Sequence, residues 1–344
     1  MLFAWLRVKK ERNKVYDGLI TVLIPFRNEE ANLTTLVKSL TLVDDVGFEV
    51  LFINDHSDDD GCEVLKLALE TVEFPFEVIN NLHDEGKKSA IKLGVQLSKG
   101  DVIVQTDADC TVPKSWLKGY RNYFGNEKTE LVFGAVKFEK RNFWVDVLQT
   151  ELSSLILVGA SMLHLKKPNM CNGANLGYRK AVFIEVGAYA GNEHLASGDD
   201  EFLMHKVFQK ASNSVRFLNE SNTVVSTQAP LNFGALVNQR IRWSSKWKEY
   251  QLGHVKLLPI FLTVIYASLF VSPWVTPKMV GEIIFYKFVL DLMLVRLASQ
   301  FLGVRLNLLA FVFSFVGYPF YLLYFAVASN KKKYTWKSRS ITNG

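Results

Sequence analysis

The chain has 344 residues, which exceeds one ordinary domain, and 49% of them are hydrophobic, with an excess toward the C-terminus. We therefore expect two parts. The net charge of +6 fits a phosphorylated substrate, an anionic membrane surface or nucleic acid. The three cysteines are scattered and form no CxxC pair, which argues against a disulfide framework or a zinc site and favours a reducing cytosolic compartment.

The first eight residues, MLFAWLRV, are apolar apart from Arg7 and run into a basic stretch. They are too short to span a bilayer, and they lack the basic start and cleavage site of a signal peptide. Two interpretations stay open for this N-terminal lead. It is an interfacial anchor, or it is the remnant of a membrane anchor.

Four short apolar runs, at residues 19–26, 48–54, 76–80 and 102–106, alternate with segments of helical character. This alternation predicts βαβ units and a mostly parallel sheet with flanking helices. Asn28 is a suitable N-cap for the first of these helices. Gly100 is placed to end the helix before the fourth strand in a left-handed conformation.

Polar residues follow three of these strand ends, and carboxyl ends of parallel strands share one edge of a sheet. We expect Arg27 and Glu29, then Asp55, then Asp107 and Asp109 to line that edge. Two carboxylates one residue apart suit Mg²⁺ or Mn²⁺, although a lone Asp-x-Asp is more often a polar turn. No GxGxxG or GxxxxGK[ST] motif occurs, which argues against a dinucleotide enzyme and a P-loop protein.

Three later segments also carry candidate site residues. Residues 143–165 predict a buried or membrane-skimming amphipathic helix. The segment from Cys171 to Arg179, with its row of small and amide residues, indicates either close approach of the backbone to a ligand or an ordinary turn. Asp199 and Asp200 open a helical segment, where they act as helix caps, or where one caps while the other serves as a general base.

Gln239, Arg242 and Trp243 fall on one face of a predicted helix. Arginine offers a bidentate fork for phosphate and tryptophan a stacking surface. A basic amphipathic helix lying on anionic lipid is the alternative, and both interpretations are compatible.

The C-terminal part is apolar. Residues 257–275 and 306–328 are uncharged runs of spanning length, and residues 280–302 carry four charges, so that segment spans with its polar side inward or lies in the interface. The lysines at 331–333 favour the cytoplasm, which requires an even number of crossings if the catalytic part is cytoplasmic. Two or three spans are therefore predicted.

Together these residues resemble the membrane-associated family 2 glycosyltransferases with the GT-A fold. Four motifs occur in the family's order, and they are Asp55, the DxD of Asp107 and Asp109, the acidic pair Asp199 and Asp200, and the QxxRW of Gln239, Arg242 and Trp243. Each motif alone is weak, whereas four in order are specific. The chain departs from the family at Asn54 to His56, where relatives often have two acidic residues and a glycine.

The resemblance implies a role for each matching position. Asp200 would be the catalytic base, with Asp199 as its neighbour, and Asp109 and Asp107 would hold the metal. The residues implied to bind the nucleotide donor are Pro25, Arg27, Glu29, Asp55, Lys87, Asp107, Asp109 and Arg242. The residues implied to face the acceptor or close the site are Asn172, Gly173, Asn175, Gln239 and Trp243.

The resemblance implies an α/β GT-A nucleotide-sugar-binding domain at residues 19–255, after the lead at 1–18 and before a membrane region at 256–330 and a basic tail at 331–344. It implies an inverting transfer from a UDP-sugar to a lipid-linked, glycolipid or polysaccharide acceptor, with Mg²⁺ or Mn²⁺ as cofactor. The expected location is the bacterial inner membrane, multi-pass, with a cytoplasmic catalytic domain. Membrane lipids and a partner membrane subunit are expected partners, and nucleic acid is not.

Three alternatives are weaker. A processive synthase of the cellulose or hyaluronan type shares the QxxRW motif, but the tail offers few spans for a polymer channel. A transporter would leave the polar front half unexplained. An inactive nucleotide-binding scaffold conflicts with the complete set of carboxylates.

Overall fold

The structure is a computed structural model, and it describes residues 1–344 except 11–13, 83, 140–141, 194, 196, 245, 247–248, 276, 329–332, 337–338 and 343–344. The side chains of residues 258–259, 269–278 and 326, and of every residue after 328, also lie outside the description. The strands are β1 (Ile20–Phe26), β2 (Phe48–Asn54), β3 (Phe76–Asn80), β4 (Val102–Gln105), β5 (Cys110–Thr111), β6 (Leu131–Phe133), β7 (Val136–Phe138), β8 (Leu176–Arg179), β9 (Val215–Phe217), β10 (Val225–Thr227), β11 (Lys333–Trp336) and β12 (Arg339–Thr342).

The α-helices range from 4 to 25 residues in length. They are α1 (Leu2–Trp5), α2 (Glu30–Leu40), α3 (Gly61–Leu69), α4 (Lys87–Leu97), α5 (Trp116–Phe124), α6 (Phe143–His164), α7 (Lys180–Glu185), α8 (Glu201–Lys210), α9 (Phe233–Ser244), α10 (Gly253–Val275), α11 (Pro277–Phe301) and α12 (Leu308–Ala328), with 3₁₀ turns at Gly173–Asn175 and Ser221–Thr223.

The main sheet has seven strands in the order β3-β2-β1-β4-β8-β6-β9. The first four strands of the chain pair with one another in parallel, as predicted, while β8 runs antiparallel to both β4 and β6. Every residue of β1 and β2 is buried, because helices cover both faces of the sheet. The α/β fold with a mostly parallel sheet is therefore confirmed.

A second, three-stranded sheet has the order β5-β10-β7. It begins directly after the DxD segment, since β5 starts at Cys110. β10 pairs with β5 in the antiparallel sense and with β7 in the parallel sense. The DxD segment thus joins the large sheet to the small one.

Two local predictions about helix ends were wrong. The N-cap of α2 is Glu29, whereas Asn28 has a φ of +51° and its side chain accepts from the Asp58 amide at 2.8 Å. Helix α4 ends at Leu97 with an extended C-cap at Ser98. Gly100 instead packs on β1, where an added Cβ would meet the Leu19 carbonyl oxygen at 2.7 Å.

Within the described residues, two helices are long and apolar enough to cross a membrane, namely α6 and the Leu308–Phe325 part of α12. More than half of α6 is buried inside the protein, which agrees with the predicted buried amphipathic helix. Only 17% of the α12 segment is buried. Helices α10 and α11 cover the other two predicted apolar segments.

The two ends of the chain also have regular structure. Trp5 of α1 packs edge-on against Phe301 of α11, with ring centroids 5.4 Å apart, and also against Phe217 of β9. The N-terminal lead is therefore docked on the protein through Trp5. In the basic tail, β11 and β12 pair as an antiparallel hairpin.

Candidate active site

The carboxyl ends of β1, β2 and β4 meet at one edge of the main sheet. Phe26, the last residue of β1, pairs with Asn54, the last residue of β2. Gln105, the last residue of β4, pairs with Leu23 of β1 on one side and Leu176 of β8 on the other. Because β8 is antiparallel, the segment before it also arrives at this edge. The sheet therefore gathers four loops in one place.

The loops after β1 and β2 bind each other through Arg27. Its guanidinium is buried and donates to the carbonyl oxygens of Asp55, at 2.9 Å, and of His56, and it pairs with Asp58 at 3.0 Å. Pro25 is buried within β1, and Glu29 is 7% exposed and accepts from Asn32 at 2.6 Å. These predicted donor-binding residues shape the loops.

Asp55 connects the second loop to helix α4. Its side chain is only 2% exposed, and its Oδ1 accepts from the Gly86 amide at 2.8 Å. His56, held at a φ of +57°, places its Nδ1 3.3 Å from the same oxygen. Because Gly86 immediately precedes α4, this contact fixes the start of the helix that carries Lys87.

Lys87 brings the DxD segment and the later acidic pair together. Its Nζ lies 2.7 Å from Asp107 Oδ1 and 3.2 Å from Asp199 Oδ2. Gln105 Nε2 also donates to Asp199 Oδ2, at 3.2 Å. Burial works to lower the pKa of Lys87, but the two carboxylates outweigh it and hold that pKa above its usual range. Burial works to raise the pKa of Asp199, but Lys87 holds it below its usual value.

Asp200 has a different environment from its neighbour. Its Oδ2 accepts from the Gly173 amide at 2.9 Å, and its Oδ1 accepts from the Glu201 amide at 2.7 Å as the N-cap of α8. Burial raises the pKa of Asp200 to about 6, against the opposing effect of Lys246 and with the help of Asp199. Two adjacent carboxylates whose pKa values move apart are typical of an acid-base site.

A layer of charged side chains supports Asp199 and Asp200, and no pattern in the sequence predicts it. Lys246 is buried and lies 2.8 Å from Glu201 Oε2, to which the Tyr250 hydroxyl also donates. Gly198 has a φ of +82°, and an added Cβ there would lie 3.2 Å from the Lys246 side chain.

The buried Lys88 donates to the carbonyl and side chain of Asn192, and burial lowers the pKa of Lys88 to about 8.

The loop before β8 contributes backbone groups. Asn172 caps the 3₁₀ turn by accepting from the Ala174 amide at 3.0 Å. The Gly173 carbonyl accepts from Gln105 at 3.3 Å, while its amide holds Asp200. An added Cβ on Gly173 would lie 3.1 Å from Asp199 Oδ2. The backbone of this segment therefore lies close to the two acidic residues, and its predicted close approach to a ligand stays a prediction.

Asn175 lies elsewhere, in the core. It is fully buried, and its Oδ1 accepts from Trp116 Nε1 at 2.9 Å and the Tyr120 hydroxyl at 2.7 Å. Its Nδ2 donates to the carbonyls of Ala135 and Thr223 at 2.8 and 3.1 Å. All of these partners are protein groups, so this side chain holds α5 and the strands together.

Helix α9 is fastened by Arg240, a residue between the motif positions. Arg240 pairs with Glu151 of α6 at 2.6 Å and donates to the Tyr321 hydroxyl of α12 at 2.6 Å. It also donates to Gln239 Oε1 at 2.7 Å, and its guanidinium lies 4.3 Å from the centre of the Trp243 ring. Gln239 and Trp243 therefore flank Arg240, and Arg242 is partly buried.

The residues after β4 fit a divalent cation. Among the described residues no group of three or more His, Cys, Asp or Glu side chains is arranged as a metal cage. Mg²⁺ and Mn²⁺ in phosphate-transfer sites are commonly held by one or two carboxylates together with substrate phosphates. Asp107 and Asp109 are such a donor set, and 35% of the Asp107 side chain is exposed.

The family described as Glycosyl transferase family 2 matches residues 21–187, which include Asp55, the DxD segment and the loop before β8. This protein is a glycosyltransferase. The matching residues end before the Asp199–Asp200 pair and α9.

Relatives with known names agree with this assignment. The glycosyltransferase AglE of Haloferax volcanii is 23% identical over 245 residues, which are 70% of this chain and 77% of that protein. An undecaprenyl-phosphate 4-deoxy-4-formamido-L-arabinose transferase of Pseudomonas syringae pv. syringae is 30% identical over 97 residues, which are 27% of this glycosyltransferase and 29% of the relative. The second match therefore covers less than a third of either protein.

A solved structure has a similar fold. The mannosyltransferase PcManGT from Pyrobaculum calidifontis, determined in complex with GDP-Man and Mn²⁺, has a TM-score of 0.61 at 15% identity. The similarity covers 95% of this glycosyltransferase and 93% of that chain. It therefore includes the C-terminal helices as well as the catalytic domain.

Proposed function

We propose that this glycosyltransferase moves a sugar from a nucleotide donor to a lipid-linked acceptor and inverts the anomeric centre. The observation that carries the proposal is the double contact of Lys87 with Asp107 and Asp199. It places the DxD segment beside the acidic pair, so that groups suited to a diphosphate and a group suited to proton abstraction share one cleft.

The donor side consists of the loops after β1, β2 and β4. We propose a UDP-sugar, with its base near Asp55 and the loop fixed by Arg27, and its diphosphate near Lys87. Asp107 and Asp109 would hold Mg²⁺ or Mn²⁺, and a cation bound there neutralises charge on the leaving diphosphate. The protein of similar fold was solved with GDP-Man and Mn²⁺, so GDP-mannose is the competing donor.

Asp200 acts as the general base. Its carboxylate accepts the proton of the acceptor hydroxyl while that oxygen attacks the anomeric carbon and the bond to the nucleotide diphosphate breaks. A pKa of about 6 keeps Asp200 mostly deprotonated at neutral pH and still basic enough to take a proton. One displacement of this kind inverts the configuration. Asp199, held by Lys87 and Gln105, fixes the backbone that presents Asp200.

Helix α9 closes the other side. Arg242 would pair with the leaving diphosphate, and Trp243 would pack on the acceptor, while Gln239 keeps Arg240 in place. Gly173 and Asn172 line the acceptor side through the loop that holds Asp200.

We propose a membrane location because the apolar surface of α12 is largely exposed, for example at Leu309, Phe313 and Phe320, which are 75%, 60% and 61% exposed. An undecaprenyl-phosphate transferase is among the relatives, which supports a lipid-linked acceptor. The catalytic domain would face the cytoplasm, where nucleotide sugars are made, with α10 to α12 in the inner membrane.

The test is nucleotide release from a panel of UDP-sugars and GDP-mannose, with Mn²⁺ or Mg²⁺ and membrane lipids. Asp200→Asn and Asp109→Ala serve as variants, and Lys118→Ala on the exposed side of α5 as the control. We expect release from one donor that needs metal and both aspartates, together with one glycolipid product. A ladder of products would instead indicate processive synthesis. Nucleotide release that persists in Asp200→Asn would show that Asp200 is not the general base.

A further inference from the structure

A large cavity lies between the small sheet and the loop that joins α11 to α12. Its volume is about 970 Å³, which is ample for a small-molecule ligand. Its polar lining residues are Lys137, Glu139, Asp146, Ser226, Arg305 and Asn307. No step of the proposed transfer uses these side chains.

The floor of the cavity lies close to the DxD segment. Ser226 pairs across the small sheet with Thr111 on one side and Lys137 on the other, so it lies one strand spacing, about 5 Å, from Thr111. Thr111 follows Asp109 by two residues, and its hydroxyl donates to Glu139. One lining residue of the cavity, Ser226, therefore lies one strand away from the segment that follows the DxD residues.

The far wall is tied to the catalytic domain. Asn307 Nδ2 donates to Asp146 Oδ2 at 2.8 Å, which holds the loop between α11 and α12 against the first turn of α6. Leu306, Leu308 and Leu309 continue this wall, and Leu308 and Leu309 are 56% and 75% exposed. The apolar wall therefore runs onto the exposed face of α12.

The charges of the lining decide the kind of ligand. Among the described lining residues, Lys137 and Arg305 contribute two positive charges, and Glu139 and Asp146 contribute two negative ones. A bare phosphate bound beside them would face both carboxylates. A saccharide carries hydroxyl groups that both donate and accept. A lining that mixes cations, carboxylates, an amide and a hydroxyl satisfies both roles.

We infer that this cavity holds the saccharide head group of a glycolipid acceptor, with the lipid tail lying along the exposed apolar face of α12. The inference rests on the proposed transfer to a lipid-linked acceptor, and it specifies that the acceptor already carries a sugar. The reaction that supplies it must therefore be an earlier glycosylation of the lipid.

Lipid binding in the absence of donor tests this inference. The protein is placed in phosphatidylcholine nanodiscs, because sugar detergents would compete for the cavity. Three labelled probes are compared, namely a diacylglycerol carrying one glucose, undecaprenyl diphosphate carrying one N-acetylglucosamine, and undecaprenyl phosphate. The variants are Ser226→Phe, which fills the floor, and Lys137→Ala, with Lys118→Ala as the matched lysine control.

We expect at least one sugar-bearing probe to bind roughly 10-fold more tightly than undecaprenyl phosphate, the size of effect that one or two hydrogen bonds to charged groups give. Ser226→Phe and Lys137→Ala should remove that preference, whereas Lys118→Ala should keep it. Thermal unfolding and nucleotide affinity confirm that each variant is folded.

Two results would overturn the inference. One is equal or tighter binding of the sugar-free lipid by the wild type, and the other is a sugar preference that survives in both folded cavity variants. Nucleotide release from the donor, measured in the same preparation, distinguishes a failure of the cavity assignment from a failure of the proposed glycosyl transfer. If nucleotide release depends on Asp200 but the protein shows no preference for sugar-bearing lipids, the cavity assignment is wrong and the proposed glycosyl transfer stands.

Discussion

The sheet edge and helix α9 both carry residues of the proposed site, yet they are positioned by different means. At the sheet edge, the strand register brings Asp55, Gln105 and Asp107 to the same end of the sheet, and Lys87 then cross-links Asp107 to Asp199. Helix α9 lies outside the sheet and is fastened by one buried arginine to Glu151 and Tyr321, on two other helices. Backbone pairing supports the first region, whereas side-chain contacts support the second, namely this network and the apolar packing of Ile241 on Phe325 and Ala328.

This difference implies that a substitution at the sheet edge acts mainly on chemistry, whereas one at the α9 anchor acts mainly on stability. The first region keeps its shape when one side chain is changed, because backbone hydrogen bonds define it. The second depends on an ion pair that is expensive to break, since each partner is almost fully removed from water. The experiments below are ordered by the size of the expected effect.

Asp200→Asn should lower kcat by about 10²- to 10⁴-fold, the usual range for the loss of a general base. The amide keeps the size of the side chain and one acceptor for the N-cap, so nucleotide affinity should match the wild type. It loses the acceptor for the Gly173 amide, so the free energy of unfolding should fall by about 1–3 kcal/mol. Steady-state kinetics with the active donor, together with nucleotide titration, measure both. A turnover near the wild-type value would show that another group takes the proton.

Arg240→Ala should reduce the free energy of unfolding by about 3–5 kcal/mol, because Glu151 would remain buried without its cation. Arg242→Ala, two residues away, is the matched comparison, and it should destabilise the protein less than Arg240→Ala does while lowering turnover, because Arg242 is only partly buried. Thermal unfolding in nanodiscs measures the first effect. Equal destabilisation by the two variants would contradict the anchoring role of Arg240.

Asn175→Ala should cost about 1–3 kcal/mol for a buried partner left unsatisfied, here the Trp116 indole or the Tyr120 hydroxyl. Its side chain contacts the core, so the folded fraction should keep its kcat and its KM for the acceptor. Chemical unfolding and kinetics at a low temperature test this. A raised KM without loss of stability would instead favour the acceptor-side role that the family resemblance implies.

The pH dependence of kcat/KM gives the smallest effect. Asp200 must be deprotonated to act as a base, so activity should fall about tenfold per pH unit below about 6 and level off above it. Lys246 lowers the pKa of Asp200, so Lys246→Met should move this inflection to higher pH. A profile that Lys246→Met leaves unmoved would show that Asp200 does not control the acidic limb.

The parts of the fold that could be predicted are those with a local pattern. Four strands appear as apolar runs, three of them buried and β3 exposed or half-buried at the edge of the sheet. The position of the acidic residues after β2 and β4 follows from parallel pairing. The sequence also indicated the buried helix α6 and the apolar C-terminal helices. These features depend on residues close together in the chain, which is why one sequence is enough to find them.

The missed features depend on distant contacts. Arg240 and Lys246 have no local signal, because their partners Glu151 and Glu201 lie 89 and 45 positions earlier in the chain. Gly100 looked like a helix terminator, whereas its constraint comes from β1, 79 residues away. Asn175 resembled a ligand-facing amide because its neighbours do approach the site, and only the position of α5 shows that it faces inward.

The anchor of α9 has a consequence for the order in which the enzyme is assembled during translation. The chain emerges from its N-terminus, so Glu151 and Arg240 are available before Tyr321, which lies 81 positions after Arg240. The hydroxyl that links this ion pair to α12 is therefore supplied by the last long helix. The nascent catalytic domain can form its sheet early, and the ion pair with Glu151 can hold the helix that carries Arg242 and Trp243 against α6, but the link of that helix to α12 forms only after α12 has been made.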